Sequence, residues 1–162
     1  FSLTKEGIHY FTYRGGFTLL WQDIQRIDIP TIQQSLERKE LPYIGIRLNN
    51  YSHFIHTASL PVLAHILIDQ RVLTLMTDAK QADFGQSDNI LFPENKNITH
   101  KPLRDELTGL RAMFLDRMLF LHDNLGYDIY FPVDDLDREP LLFVQLLRNF
   151  RQNIVADQFK RE

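Results

Sequence analysis

Between Phe17 and Pro30 the chain reads Phe-Thr-Leu-Leu-Trp-Gln-Asp-Ile-Gln-Arg-Ile-Asp-Ile-Pro, and this stretch restricts the fold more than any other. An apolar run ends on the single tryptophan, turns at Gln22-Asp23, and resumes with Ile27 and Ile29 alternating against Arg26 and Asp28. Alternation of period two places both isoleucines on one face, the pattern of a half-buried antiparallel strand.

The surrounding first third reads as sheet. Gly7 to Tyr13 is an aromatic-rich strand, Arg14-Gly15-Gly16 a tight turn, and Phe17 to Trp21 the return strand. Glycine accepts the positive φ that such hairpin turns require. Thr31 to Pro42 is polar and reads as a loop. Tyr43 to Leu48 is a further strand with Ile44, Ile46 and Leu48 on its core face, closed by the Asn49-Asn50 turn. The middle of the chain is helical. Ser59 is placed to cap a helix running toward Met76, with Pro61 tolerated in its first turn. Residues 78 to 101 are polar and loop-like around an apolar island, Ile90-Leu91-Phe92. A second helix starts near Pro102, carries the stripe Leu103, Leu107, Leu110, Phe114, Met118, Leu121, and stops at Gly126. Tyr127 to Phe131 is a short strand, and Asp134, Asp135 and Asp137 lead into a last helix from Glu139 to Val155. Acidic residues there suit the free N–H groups and positive dipole end of a helix start.

The 162 residues, 44% hydrophobic with no cysteine, suffice for one domain with a core that needs no disulfide or thiolate metal site. The net charge of -3 gives no basic excess that would argue for nucleic acid. Leu60 to Met76 is the longest apolar run, but Pro61, His65, Asp69, Gln70 and Arg71 within it make a membrane span costly, so a buried helix is expected. The first residue is Phe1 and Ser2-Leu3-Thr4 already reads as strand, so a piece of a longer chain is expected.

The strand, the Trp21-x-Asp23-Ile24 corner, the second strand and the closing helix resemble the bacterial pleckstrin-homology-like domain. That resemblance covers residues 1 to about 50 and Tyr127 to Val155. It implies an α+β fold: a pleckstrin-homology-like antiparallel sheet or partial barrel with a C-terminal helix across it. The chain departs from the simple domain by placing two helices and a loop where such domains have short connections. The expected organisation is a single domain over 1–162, with sheet and closing helix from 1–58 and 126–156 and a helical insertion over 59–125. Taken whole, through Tyr43 to Leu48, Gln70-Arg71, Asp116-Arg117-Met118 and Gly126-Tyr127-Asp128, the chain is also similar to an uncharacterised family of bacterial membrane-associated proteins of unknown function. The resemblance implies a location at the cytoplasmic face of the bacterial inner membrane, tethered through segments upstream of Phe1.

Chemistry-bearing motifs are sparse. His53 and His56 form H-x-x-H near a strand end without an accompanying carboxylate set, which points to surface or cap histidines rather than a metal site. Asp134, Asp135 and Asp137 lack the glycine and closing glutamate of a calcium loop. There is no G-x-S-x-G and no phosphate-cradling glycine loop, and the serines sit at turns, caps and strand ends. Arg71 and Arg117 each lie in an apolar helical stretch, where a guanidinium needs a partner. They would either pair with Asp69, Asp116 or Asp128, or bind an anion such as a lipid phosphate between the helices. Arg148 and Arg151 lie on the polar face of the last helix, as a solvated face or a patch for anionic lipid. The expected function is a non-enzymatic interaction or assembly module without cofactor or metal. The alternative is a lipid- or small-anion-binding domain using Arg71 and Arg117, with Trp21, Asp23 and Ile24 as structural motif.

Overall fold

The computed structural model describes residues 1–34, 36–78 and 101–159. It is a mixed α+β fold with antiparallel sheets. The first sheet contains β1 (Ser2–Leu3), β2 (Gly7–Thr12) and β3 (Gly15–Leu20) in that order. Ile8 faces Leu19 and Tyr10 faces Phe17 across the β2/β3 hairpin, so one face carries the core residues. Thr12 pairs with Gly15, so the turn residues are Tyr13 and Arg14, and both glycines belong to β3. Gly15 takes φ of 111°, which keeps the expected reason for glycine there.

A single 3₁₀ turn, Trp21–Asp23, carries the chain from this sheet to the next. Trp21 is 4% exposed; its indole N–H donates to the Thr4 carbonyl at 2.9 Å, and its ring lies 5.6 Å from that of Phe150. The Asp23 carbonyl accepts the Asn49 N–H at 2.9 Å, and its carboxylate accepts the Asn50 side-chain amide at 3.2 Å. The corner is therefore fastened to both sheets and to the last helix.

The second sheet has the order β4 (Ile24–Asp28), β7 (Tyr43–Leu48), β8 (Ile129–Pro132). As the alternation expects, Ile27 is buried in the main core and Ile29, just past the strand, is partly buried against the same cluster. A bulge between Ile24 and Arg26 inserts one residue, so Ile24, three before Ile27, is buried in that core as well. β7 is central and buried on both sides: Ile44, Ile46 and Leu48 join the main core, while Tyr43 packs with Leu41, Leu73, Leu121, Tyr127 and Tyr130. Gly45 sits where Tyr127 and Pro30 press on the strand; a Cβ there would lie 2.6 Å from the Tyr127 ring. The segment expected as a loop after Thr31 instead forms a hairpin, β5 (Thr31–Gln34) with β6 (Glu37–Glu40). Its strand β6 is exposed throughout, so the alternation that marks a half-buried strand is absent.

The helices are α1 (Ser52–Thr57), α2 (Leu60–Asp69), α3 (Arg71–Asp78), α4 (Lys101–Glu106), α5 (Gly109–Leu125) and α6 (Pro140–Phe159). Two helices expected to be continuous are each broken. α2 and α3 meet at 42° around Gln70, whose buried side chain donates to the Tyr130 carbonyl of β8 at 2.6 Å. α4 and α5 part at Thr108-Gly109, where Gly109 takes φ of 56°. Gly126, with φ of 84°, ends α5 in the left-handed conformation expected of it. Ser59 occupies the cap position of α2, yet its hydroxyl makes no capping bond to that helix and lies toward the Arg14 carbonyl instead. Residues 79–100, which include the Ile90-Leu91-Phe92 island, lie outside the described residues.

The helices of 59–125 share the sheet's core. Val62, Leu63 and Leu67 of α2 and Phe114, Leu115 and Met118 of α5 pack in one cluster with Ile8, Ile24, Ile46 and Leu147. Among the described residues no single helix is long and apolar enough to cross a membrane; α2 with Arg71–Thr77 reaches that length and composition only as a bent pair. The arginines of α6 have a specific task. Arg148 donates two N–H bonds to the Ile27 carbonyl and pairs with Asp28 at 2.9 Å, and Arg151 donates to the Gln25 carbonyl at 3.1 Å. These side chains hold α6 to the bulged strand while staying open to solvent, Arg148 with 45% of its side chain exposed.

Candidate functional site

A cleft of about 290 Å³ opens where the hairpin, the end of α2 and the exit of β8 converge. The hairpin supplies Tyr10, Thr12, Tyr13 and Phe17; β7 supplies Tyr43 at its first residue; α2 and its end supply His65, Ile66, Asp69 and Gln70. Tyr130, Phe131, Pro132 and Asp135 complete the wall from the other side. Alternation in β2 sends Tyr10 inward beside Phe17, the rings 5.2 Å apart, while the turn leaves Tyr13 at the rim, 87% exposed. The Gln70 bond to β8 fixes the end of α2 against this wall.

The polar groups of the cleft are acidic. The Tyr10 hydroxyl donates to Asp135 Oδ2 at 2.9 Å, and His65 Nε2 lies 3.0 Å from Asp69 Oδ2, one helical turn along. Burial foremost, then the bond and charge of Asp135 and the charge of Asp69, push the ionisation of the Tyr10 phenol well above its ordinary range. Tyr43 is raised as well, by burial and then by Asp69 and Asp134. Among the described residues that line the cleft none is a lysine or arginine. Chemically the cleft offers aromatic faces, hydroxyls and carboxylates.

A second polar cluster is buried under α5. The Asp128 carboxylate, with a side chain 0% exposed, accepts the Leu48 N–H at 2.6 Å, the Tyr51 hydroxyl at 3.0 Å and His122 Nδ1 at 2.8 Å. His122 turns its other nitrogen to Arg47 Nη2 at 3.2 Å, so both sides of the imidazole are engaged within the chain. The Asp128 bond raises the His122 pKa above its ordinary value, against burial and the Arg47 charge, which lower it. This arrangement joins β7, α5 and the approach to β8.

The residues singled out from sequence fall elsewhere. Trp21, Asp23 and Ile24 form the buried corner described above. Arg71 opens α3, is exposed, and makes no ion pair among the described residues; Arg117 is 3% exposed within α5. Neither lines the cleft. Of the carboxylates suggested for them, Asp69 contacts His65, Asp116 contacts Arg104 at 2.7 Å and Asp128 contacts His122. His53 and His56 lie on α1 rather than at a strand end, and no group of three or more His, Asp or Glu able to hold a metal occurs among the described residues. The cleft residues come from four segments distant in sequence, without a short motif. From sequence Asp135 reads as a helix-start residue and Asp69 as a polar break in the apolar run and a possible arginine partner, so neither pointed to a cleft.

No curated protein and no solved structure matches the chain. A family model described as "Protein of unknown function (DUF2982)" matches residues 1–153, and the chain belongs to that family.

Proposed function

We propose that the chain is a non-enzymatic recognition module that receives part of a protein partner in the aromatic cleft. The scaffold for this reading is a pleckstrin-homology-like pair of antiparallel sheets with a closing helix, acting at the cytoplasmic face of a bacterial inner membrane. The Trp21 corner against α6 supports the scaffold. The observation that carries the function is the cleft itself, an apolar concavity with a few convergent polar groups on three elements held by the Gln70 bond. Concave sites of this kind suit an inserted side chain, the anchor-in-pocket arrangement that dominates many interfaces. Anion binding by Arg71 and Arg117 draws no support from this cleft, which neither residue reaches.

The test is site-specific photo-crosslinking in cells. A photoreactive phenylalanine analogue at Tyr13, on the rim, should give a discrete adduct. The same group at Leu36, which is 98% exposed in the turn between β5 and β6 and apart from the cleft lining, should not. Adducts at Leu36 and none at Tyr13 would overturn the reading.

A further inference from the structure

We propose that the cleft selects an organic cation, a guanidinium or ammonium head held between Asp69 and Asp135 with its hydrocarbon stem against Tyr10 and Tyr43. The inference rests on the cleft being the recognition site and adds the chemistry of what enters it.

Three observations converge. The first is charge: among the described residues the ionisable side chains of the lining are Asp69, Asp135, His65 and tyrosines, with no lysine or arginine beside the two carboxylates. His65 Nε2 lies 3.0 Å from Asp69 Oδ2, and Asp135 is left with only the Tyr10 hydroxyl among these groups. The second is convergence. Asp135 accepts the Tyr10 hydroxyl at 2.9 Å, and Asp69 lines the same cleft from the end of α2, so both carboxylates border one concavity. The third is the wall. Tyr10, Tyr43 and Phe17 line it, Tyr13 at the rim carries the Arg14 guanidinium over its ring at 5.0 Å, and aromatic rings attract cations through the ring quadrupole. An anion would meet two carboxylates here, and a neutral apolar group would leave them without a counter-charge. The aromatic wall beside the carboxylates is what suits an organic cation, whose hydrocarbon stem it can cover. A lysine or arginine side chain of the partner and a free polyamine share this chemistry.

The experiment is a titration of the isotope-labelled chain, followed by amide chemical shifts, with n-butylguanidinium, n-butylammonium, butyrate and n-butanol. The two cations should give saturable shifts confined to segments 10–17, 65–70 and 130–135 and to Tyr43, and butyrate and butanol should not. Asp69→Asn combined with Asp135→Asn should weaken cation binding by about tenfold or more, the scale of losing charge-assisted contacts. Asp137→Asn, which removes an exposed charge paired with Arg138 outside the cleft, should leave it unchanged. Both Asp69 and Asp135 are exposed, so the double variant should keep its unfolding midpoint, which is measured alongside. A blocked Gly-Arg-Gly peptide binding more tightly than spermidine would identify a partner's side chain as the source; the reverse order would identify a free polyamine and overturn the side-chain source. Equal binding of butanol, or cation shifts unaffected by the double variant, would overturn the proposal. Loss of cation binding with a surviving Tyr13 crosslink would remove only the chemistry assigned to the cleft; loss of the crosslink with cation binding intact would remove the protein partner.

Discussion

Replacing Asp128 by alanine removes the acceptor on which three elements meet. In the folded chain its carboxylate is fully buried and receives the Leu48 N–H, the Tyr51 hydroxyl and His122 Nδ1. Hydrogen bonds to a charged group contribute about 1.5–3 kcal/mol each, and a buried donor left without an acceptor costs about 1–3 kcal/mol. The partly exposed His122 can turn toward water, whereas the Tyr51 hydroxyl is buried and the Leu48 N–H is fixed in a central strand. Weighing these losses against the relief of desolvating a carboxylate, the net cost should be about 3–5 kcal/mol, the range for breaking a buried charged pair. Tyr51→Phe removes one of the three bonds and leaves the carboxylate the other two, so it should cost about 1–2 kcal/mol. Equilibrium urea unfolding is the assay, read through Trp21, the single tryptophan and a buried one. A cost below about 1 kcal/mol for Asp128→Ala, or a larger effect for Tyr51→Phe, would refute the assignment of Asp128 as the joint between β7, α5 and β8.

Trp21→Ala should cost about 3–5 kcal/mol, since it empties an aromatic core site and orphans the Thr4 carbonyl; a loss under about 1 kcal/mol by the same unfolding curves, read by circular dichroism, would contradict the role of the corner. His122 has its pKa raised by Asp128, so its contribution to stability is full below its unfolded value near 6.5 and falls as pH rises through the higher folded value. The stability gap between the native chain and His122→Gln should therefore be larger at pH 6 than at pH 9, and an equal or reversed gap would show that Arg47, not Asp128, sets the charge of this imidazole.

The sequence was legible where one residue decides one local property. Apolar, aromatic-rich runs on either side of Gly15-Gly16 located β2 and β3, alternation located β7, the stripe from Phe114 to Leu121 located α5, and Gly126 marked its end. Trp21, closing an apolar run, is buried against Phe150 of the last helix. What escaped depended on pairs distant in sequence. The bulge in β4 is satisfied by Arg148 and Arg151 from α6, more than a hundred residues later, and nothing local reports that Gln25 and Ile27 offer their carbonyls there. The break at Gln70 arises from a bond to Tyr130, and without it the apolar run from Leu60 to Met76 reads as one helix. The cleft escaped for the same reason: Tyr10, Asp69 and Asp135 have ordinary local explanations, and only the tertiary fold gives them a common focus. Arg71 and Arg117 drew notice because charge in an apolar stretch is conspicuous, yet one lies at the surface and the other inside α5.

The account turns on whether the acidic, aromatic cleft is the surface that a partner reads. The direct measurement is the yield of the Tyr13 photo-crosslink in cells carrying Asp69→Asn and Asp135→Asn together, compared with the otherwise native chain at equal abundance. The account predicts that the adduct falls to the level seen from Leu36 while the unfolding midpoint stays unchanged. An adduct of undiminished yield from the double variant would contradict it.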